Sequence, residues 1–119
     1  MSDCGLYIAV FHLEKSRNIQ AGRLGCFTFE PGFYFYVGSA RKNLSARLNR
    51  HSKKEKPLRW HIDYLSVKAN MLGAITIHDE NITECSLARD LSKIGQVPAP
   101  GFGSSDCNCP SHLFFCRDL

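Results

Sequence analysis

The sequence GLYIAVFHL, residues 5–13, is almost entirely apolar or aromatic, and it begins with the tripeptide Gly5-Leu6-Tyr7. A second aromatic run, FYFYVG at residues 33–38, ends with Tyr36-Val37-Gly38, in which the order of tyrosine and glycine is reversed. Apolar and aromatic runs of this length are typical of β-strands when turn-forming residues flank them. We therefore predict two strands, each of which carries one of the two tripeptide tyrosines.

The chain between these two runs is predicted to contain one further strand. Residues 15–22 are polar and are predicted as a loop, whereas residues 24–30 alternate in the manner of a strand. Pro31-Gly32 is a tight-turn dipeptide between residues 24–30 and residues 33–38. The two segments are therefore predicted to form a hairpin.

Helical signals recur after residue 40. Asn43 is an N-cap residue type, and residues 81–84 match a capping box. The helices are predicted over residues 43–54, 60–66 and 81–94. Strands at residues 72–78 and 113–116, the latter at a sheet edge, and a loop at residues 97–109 complete the assignment. This order predicts one α+β domain, residues 1–119, with a small mixed or antiparallel central sheet flanked by helices.

The size and composition restrict the class of protein. A chain of 119 residues can bury one sizeable core, and 44% hydrophobic with 22% charged residues is typical of globular proteins. No apolar run approaches the roughly 18 residues of a membrane span, and the first residues lack a signal-peptide pattern. Six cysteines in such a chain indicate reduced thiols. We therefore expect a cytoplasmic protein with no membrane partner and no disulfide scaffold.

Positive charge is concentrated in one segment. Residues 41–59 contain eight Lys or Arg residues against one acid, Glu55, so this segment carries +7 in a chain of net charge +4. Such a block indicates a phosphate-rich partner, or it is a solvated helix face with a basic loop. The basic residues are Arg41, Lys42, Arg47, Arg50, Lys53, Lys54, Lys56 and Arg59.

Three side chains on the predicted helices add chemical function. Arg47 and His51 are four residues apart and therefore lie next to each other on one helix. Apolar residues follow Glu84 at three, four and seven positions, so its carboxylate lies on the inward stripe of its helix and needs a cation or metal partner. A metal-binding carboxylate, a phosphate-clamping arginine and a tyrosine or histidine that acts on water can together hydrolyse a phosphodiester.

Each of these side chains also has a structural explanation. Tyr7 and Tyr36 can be core residues with satisfied hydroxyl groups. Arg47 can belong to a basic surface, and His51 can be exposed. Glu84 can be the acidic member of the capping box.

The order of these residues resembles the GIY-YIG nuclease superfamily, which includes homing endonucleases and a nucleotide-excision-repair nuclease. The resemblance covers most of the chain. It implies two motif tyrosines, a catalytic arginine, a helix histidine and a metal-binding glutamate. In this sequence they are Tyr7, Tyr36, Arg47, His51 and Glu84.

Additional motifs are similar to the small stand-alone Uri-type endonuclease branch. They are WHIDYL at residues 60–65, Glu84-Cys85-x-Leu87-Ala88, and GSSDC-x-C-x-SHLF at residues 103–114. The 28 residues between the two tripeptides exceed the usual superfamily spacing, and the strand at residues 24–30 is expected to absorb this insertion. One extra residue also lies within positions 41–43, before the helix that carries Arg47.

The C-terminal cysteines have the residue types of a zinc site. Cys107-x-Cys109-x-x-His112-x-x-x-Cys116 contains thiol and imidazole ligands, although Cys-x-Cys is tighter than the common Cys-x-x-Cys. Alternatively, the cysteines are small buried residues, and Asp106 and His112 line the active cleft. His61 and Asp63 are two residues apart on a helix, so we expect only one of them to face that cleft.

The resemblance implies a metal-dependent DNA endonuclease that hydrolyses phosphodiester bonds in DNA repair or processing, with Mg²⁺ or Mn²⁺ on Glu84. The alternative is a non-catalytic nucleic-acid-binding module that retains the nuclease fold. A third hypothesis is an interaction domain stabilised by zinc, which ranks last. DNA is expected to contact the basic segment at Arg41, Lys42, Arg50, Lys53, Lys54 and Arg59.

Overall fold

The computed structural model of the chain describes residues 3–104 and 109–118. In this part of the chain the elements follow one another as an α+β fold. They are β1 (Gly5–Leu13), β2 (Arg17–Gln20), β3 (Cys26–Phe29), β4 (Gly32–Ala40), α1 (Leu44–Ser52), α2 (His61–Ser66), β5 (Asn70–Ile77), α3 (Glu84–Ser92) and β6 (Leu113–Cys116).

The central sheet is antiparallel and has the strand order β5-β1-β4-β6. β1 pairs with β4 along its whole length, in a register that places Tyr7 opposite Gly38 and Ala9 opposite Tyr36. Because side chains alternate between the faces of a strand, Tyr7 and Tyr36 lie on the same face of the sheet. Their ring centroids are 6.4 Å apart.

Helices cover both faces of this sheet. The face of Tyr7 packs into a core that contains Leu44 of α1 and Ile62 of α2. The opposite face, which carries Val37, packs against Ala88 of α3. No helix in the described ranges combines the length and the apolarity that crossing a membrane requires.

The predicted hairpin of residues 24–30 and 33–38 is wrong. β3 pairs with β2 in a separate two-stranded sheet, because both edges of β4 are occupied by β1 and β6. The predicted loop at residues 15–22 therefore contains the strand β2. Within β2 only Ile19 is buried, so the segment lacks the apolar alternation by which strands are recognised.

The other strand and helix positions are confirmed, with shifts of one to three residues at most boundaries. Their caps differ from the prediction. Asn43 adopts a left-handed conformation, φ 58°, and Asp3 instead accepts a hydrogen bond from the Ser45 N–H at 3.0 Å. The capping box of α3 is formed by Thr83 and Ser86 through two hydrogen bonds of 3.0 Å. The Glu84 carboxylate is consequently available for other contacts.

Candidate active site

A cavity of about 320 Å³ opens beside the end of β4 at which Gly38 and Ser39 lie. Side chains from the sheet, from α1, from the start of α2 and from α3 converge on it. Four of the five predicted catalytic side chains line this cavity, and His51 lies directly behind Tyr7. The lining residues are Tyr7, Tyr36, Gly38, Ser39, Arg47, Arg59, Trp60, His61, Glu84 and Gly103.

Tyr7 and His51 form a buried polar pair. The Tyr7 hydroxyl oxygen lies 2.9 Å from His51 Nε2, and the His51 side chain is fully buried. Burial lowers the pKa of His51 to about 4, and the neighbouring charge of Lys56 acts in the same direction. At neutral pH His51 is therefore an uncharged imidazole. It is buried, so the alternative expectation that it is an exposed residue is wrong.

Both tyrosines are neutral at physiological pH. Burial raises the pKa of Tyr7 to about 12, although the Arg47 guanidinium opposes this shift. Burial also raises the pKa of Tyr36. In this state either phenol can donate a hydrogen bond to a bound water or phosphate, and neither is itself a base.

Ser39 connects Arg47 to Glu84. An Nη1–H of Arg47 donates a hydrogen bond to the Ser39 carbonyl oxygen, and the Ser39 hydroxyl donates to Glu84 Oε1 at 2.6 Å. The second carboxylate oxygen of Glu84 lies 2.8 Å from Nδ1 of His112. The contact with His112 lowers the pKa of Glu84. Burial acts in the opposite direction, but the Ser39 hydrogen bond also lowers the pKa, which stays below its usual value. Glu84 is therefore ionised at neutral pH.

The Glu84 carboxylate fits a hard divalent cation. Its side chain is 32% exposed and lines the cavity, and each of its oxygens has one hydrogen-bonding partner in the described part of the chain. A carboxylate oxygen has two lone pairs, so each oxygen retains one for a cation. One carboxylate with water and phosphate oxygens is a typical Mg²⁺ environment.

Trp60 lies at the rim of the cavity between two arginines. The residue is 38% exposed, and its ring centroid lies 5.0 Å from Cζ of Arg47 and 4.6 Å from Cζ of Arg50. Such distances are typical of cation–π contacts. An exposed aromatic ring flanked by guanidinium groups can stack against a nucleobase.

Asp63 holds this rim in place. It is fully buried and accepts hydrogen bonds from Arg50 at 2.7 and 2.9 Å and from the backbone N–H groups of Arg59 and Trp60 at 2.8 and 2.9 Å. Burial alone would raise the pKa of Asp63, but these donors lower it. His61 lines the cavity and Asp63 does not, which confirms that only one of the two faces it.

His61 has a defined tautomer. Its Nδ1 accepts a hydrogen bond of 2.8 Å from the Gly103 N–H, and burial lowers its pKa. The neutral ring therefore carries its proton on Nε2, which can act as a donor.

The six predicted DNA contacts differ in their surroundings. Arg59 lines the cavity, whereas Arg50 is occupied by Asp63 and by the Pro57 carbonyl oxygen. Lys54 donates a hydrogen bond of 2.8 Å to the side chain of Asn70. Arg41, Lys42 and Lys53 are exposed.

The predicted zinc ligands are only partly brought together. Cys109 and His112 cluster with Cys85, their ligand atoms all within 4.8 Å of one another. Cys116 lies elsewhere, on β6 opposite Phe33, and its thiol donates a hydrogen bond to the Asp118 carbonyl oxygen. The predicted residues Asp106 and Cys107 lie outside the described residues.

Sequence reasoning did not identify Ser39, Trp60 or Cys85 as site residues. Trp60 carried a usable signal, because an aromatic residue directly after a basic segment is typical of nucleic-acid interfaces. Ser39 follows Tyr36-Val37-Gly38 directly, but nothing in the sequence links it to Glu84. The separation of Cys85 from Cys109 matches no metal-binding spacing.

The fold and the cavity define an α+β protein in which polar and ionisable side chains line a cavity at the end of the central sheet. Residues 6–119 match the model of the family described as domain of unknown function DUF123, and the chain belongs to this family. Searches of curated proteins and of solved structures gave no match.

Proposed function

We propose that the protein is a metal-dependent DNA endonuclease that hydrolyses phosphodiester bonds in DNA repair or processing. The observation that carries this proposal is the convergence of Tyr7, Tyr36, Arg47 and Glu84 on one polar cavity. These side chains come from two strands and two helices that are remote in sequence. The GIY-YIG resemblance supports the same assignment.

Each side chain has a role that follows from its charge and position. Glu84 would hold Mg²⁺ or Mn²⁺, which supplies Lewis-acid polarisation of the phosphate oxygens. Arg47 counters the negative charge that develops on the phosphate. Tyr36 orients the attacking water as a hydrogen-bond donor, whereas the Tyr7 hydroxyl donates to His51 Nε2 and accepts a hydrogen bond from that water. His51, neutral and in contact with Tyr7, is the group that can accept a proton through the Tyr7 hydroxyl.

The surroundings of the cavity suit a nucleic acid. Arg59 and Trp60 stand at the rim, and Arg41, Lys42 and Lys53 of the basic segment are exposed. Phosphate contacts by lysine and arginine give binding that weakens with salt and depends little on base sequence. A cytoplasmic location, supported by the six cysteines, forms part of the proposal.

The test is cleavage of labelled single-stranded, duplex, branched and uracil- or abasic-containing DNA with Mg²⁺ or Mn²⁺. The wild type is compared with Glu84→Gln and with Glu80→Gln, a control acid at an exposed position. We expect Glu84→Gln to abolish cleavage while binding persists, and Glu80→Gln to cleave normally. DNA binding without cleavage by the wild type on every substrate would contradict the nuclease and favour the non-catalytic module.

A further inference from the structure

The cluster of Cys85, Cys109 and His112 joins two separate parts of the chain. Cys85 lies in the first turn of α3, Cys109 in the loop after α3, and His112 directly before β6. His112 is almost completely buried, and the two cysteines are half-buried. Two soft thiols and an imidazole that converge in a partly buried position have the residue types of a zinc site.

We propose that Cys85, Cys109 and His112 bind a zinc ion that joins the N-terminal end of α3 to the chain preceding β6. Zn–S distances of about 2.3 Å and Zn–N distances of about 2.0 Å separate tetrahedral ligand atoms by about 3.5–3.8 Å. The three ligand atoms are within 4.8 Å of one another, so a small contraction brings them to this spacing and leaves the fourth position of the tetrahedron for a further ligand. Two thiolates neutralise the charge of Zn²⁺, which suits a half-buried position.

The orientation of His112 supports this assignment. Its Nδ1 lies 2.8 Å from Glu84 Oε2, and we therefore assign the zinc bond to the other ring nitrogen, Nε2. Zinc-binding histidines commonly donate their other N–H to a carboxylate, which fixes the tautomer and orientation of the ring. With zinc on Nε2, the ring proton of His112 lies on Nδ1, and this N–H donates a hydrogen bond to Glu84. The zinc ion thereby positions the carboxylate that lines the cavity.

The site does not depend on the proposed nuclease function. Glu84 has this histidine partner whatever reaction the cavity performs, and zinc content is measured without any substrate. The zinc site is also distinct from the Mg²⁺ or Mn²⁺ position on Glu84, because its ligands are thiolates and an imidazole. Thiolates prefer zinc, whereas carboxylate and water oxygens prefer Mg²⁺.

The first measurement is the zinc content of the full chain, expressed with zinc and purified under reducing conditions, by inductively coupled plasma mass spectrometry. We expect stoichiometric zinc in the wild type and in Cys26→Ser, an exposed cysteine on β3. Cys85→Ser and Cys109→Ser should each lose most of it. Zinc at buffer background in the wild type, or zinc retained by both folded variants, would overturn the proposal.

Cobalt substitution tests the site without any mutation. The wild-type chain loaded with Co²⁺ should show intense visible d–d bands of a tetrahedral ion together with a thiolate-to-cobalt charge-transfer band. Addition of zinc should bleach both. A wild-type spectrum with no charge-transfer band would overturn the site, and this result does not depend on whether the serine variants fold. A Cys85–Cys109 disulfide in protein prepared under reducing conditions would also overturn it.

Discussion

Tyr7 lies directly opposite Gly38 in the pairing of β1 with β4, and its ring fills the space that a side chain at residue 38 would occupy. A Cβ atom built on Gly38 overlaps the Tyr7 ring carbons and hydroxyl oxygen. The glycine of one tripeptide therefore makes room for the tyrosine of the other. The two tripeptides form one structural unit that sets the direction of the Tyr7 hydroxyl toward His51.

Gly38→Ala should displace the Tyr7 ring and disrupt its contact with His51. The added methyl overpacks the sheet, for which we expect a loss of about 1–3 kcal/mol in the free energy of unfolding. Urea denaturation measures this loss. The rate of the proposed cleavage should fall by more than the decrease in the folded fraction accounts for. Gly73→Ala on β5 is the matched control, because a Cβ at Gly73 meets no heavy atom within 4 Å. Equal stability of the two variants would contradict the packing argument.

The strands and helices that were predicted well from the sequence are those whose position follows from the apolar pattern of their own residues. β1 was predicted at both boundaries, because its apolar run is long and interrupted by few polar residues. The convergence of Tyr7 with Arg47 and Glu84 came from the family resemblance, since no local rule connects residues on different elements. What failed was strand pairing: residues 24–30 are strand-like, but which strand they join depends on the occupied edges of β4.

The contacts around Glu84 show the same limit. Its position in the sequence was compatible with a capping box, and only the backbone at Thr83 and Ser86 shows that these two residues cap α3 instead. Cys85 was missed for a related reason. A cysteine directly after the inward-facing glutamate becomes a ligand candidate only when the loop after α3 brings Cys109 back to it.

The burial of His51 should make stability depend on pH. Its pKa is about 4 in the folded protein and about 6.5 when unfolded, so the unfolded chain takes up a proton first as the pH falls. No stability is lost from this group above pH 7. Between pH 7 and pH 5 we expect it to remove about 2 kcal/mol from the free energy of unfolding.

The measurement is urea denaturation of the wild type and of His51→Gln at several pH values from 7 to 5. Glutamine keeps a polar side chain of similar length and does not titrate. The stability difference between the two proteins should therefore shrink as the pH falls. A constant difference for His51→Gln would show that the buried imidazole does not titrate as expected.

Asp63→Asn should destabilise the protein strongly. The substitution leaves Arg50 without its counter-ion, and an amide cannot accept from all four donors that surround Asp63. Removing one partner of a buried ion pair costs about 3–5 kcal/mol, and we expect the lower end because Arg50 is partly exposed to water. The pKa of Asp63 is lowered on folding, so this contribution is present at neutral pH and is lost in acid.

The measurement for Asp63 is the free energy of unfolding at pH 7 and at pH 3, with Asp90→Asn at an exposed position of α3 as the control. The cost of Asp63→Asn should be smaller at pH 3, because the unfolded wild-type chain takes up a proton at Asp63 at a higher pH than the folded protein does. A cost within the range of ordinary surface substitutions, about 0.5 kcal/mol, would show that the Arg50 pair does not stabilise the rim.

Trp60 should report DNA binding directly, because it is the single tryptophan of the chain. A base that stacks on its exposed ring will quench its fluorescence, and Trp60→Ala should weaken binding by about 1–3 kcal/mol. Trp60→Phe keeps an aromatic surface and should recover much of the affinity. Saturation with DNA that leaves the fluorescence unchanged, together with normal affinity of Trp60→Ala, would exclude stacking at this position.

Ser39→Ala should shift the pH dependence of the proposed cleavage without removing any ionisable group. The variant loses the hydroxyl that donates to Glu84 Oε1, while the carbonyl that accepts from Arg47 remains. This hydrogen bond helps to lower the pKa of Glu84, so its loss raises that pKa. The acidic limb of the pH–rate profile should move to higher pH, and the rate on the alkaline side should change less. Ser45→Ala, whose hydroxyl contacts Asp3 instead, should leave the profile unchanged. A Ser39→Ala profile that falls equally at every pH would show that Ser39 acts only through packing.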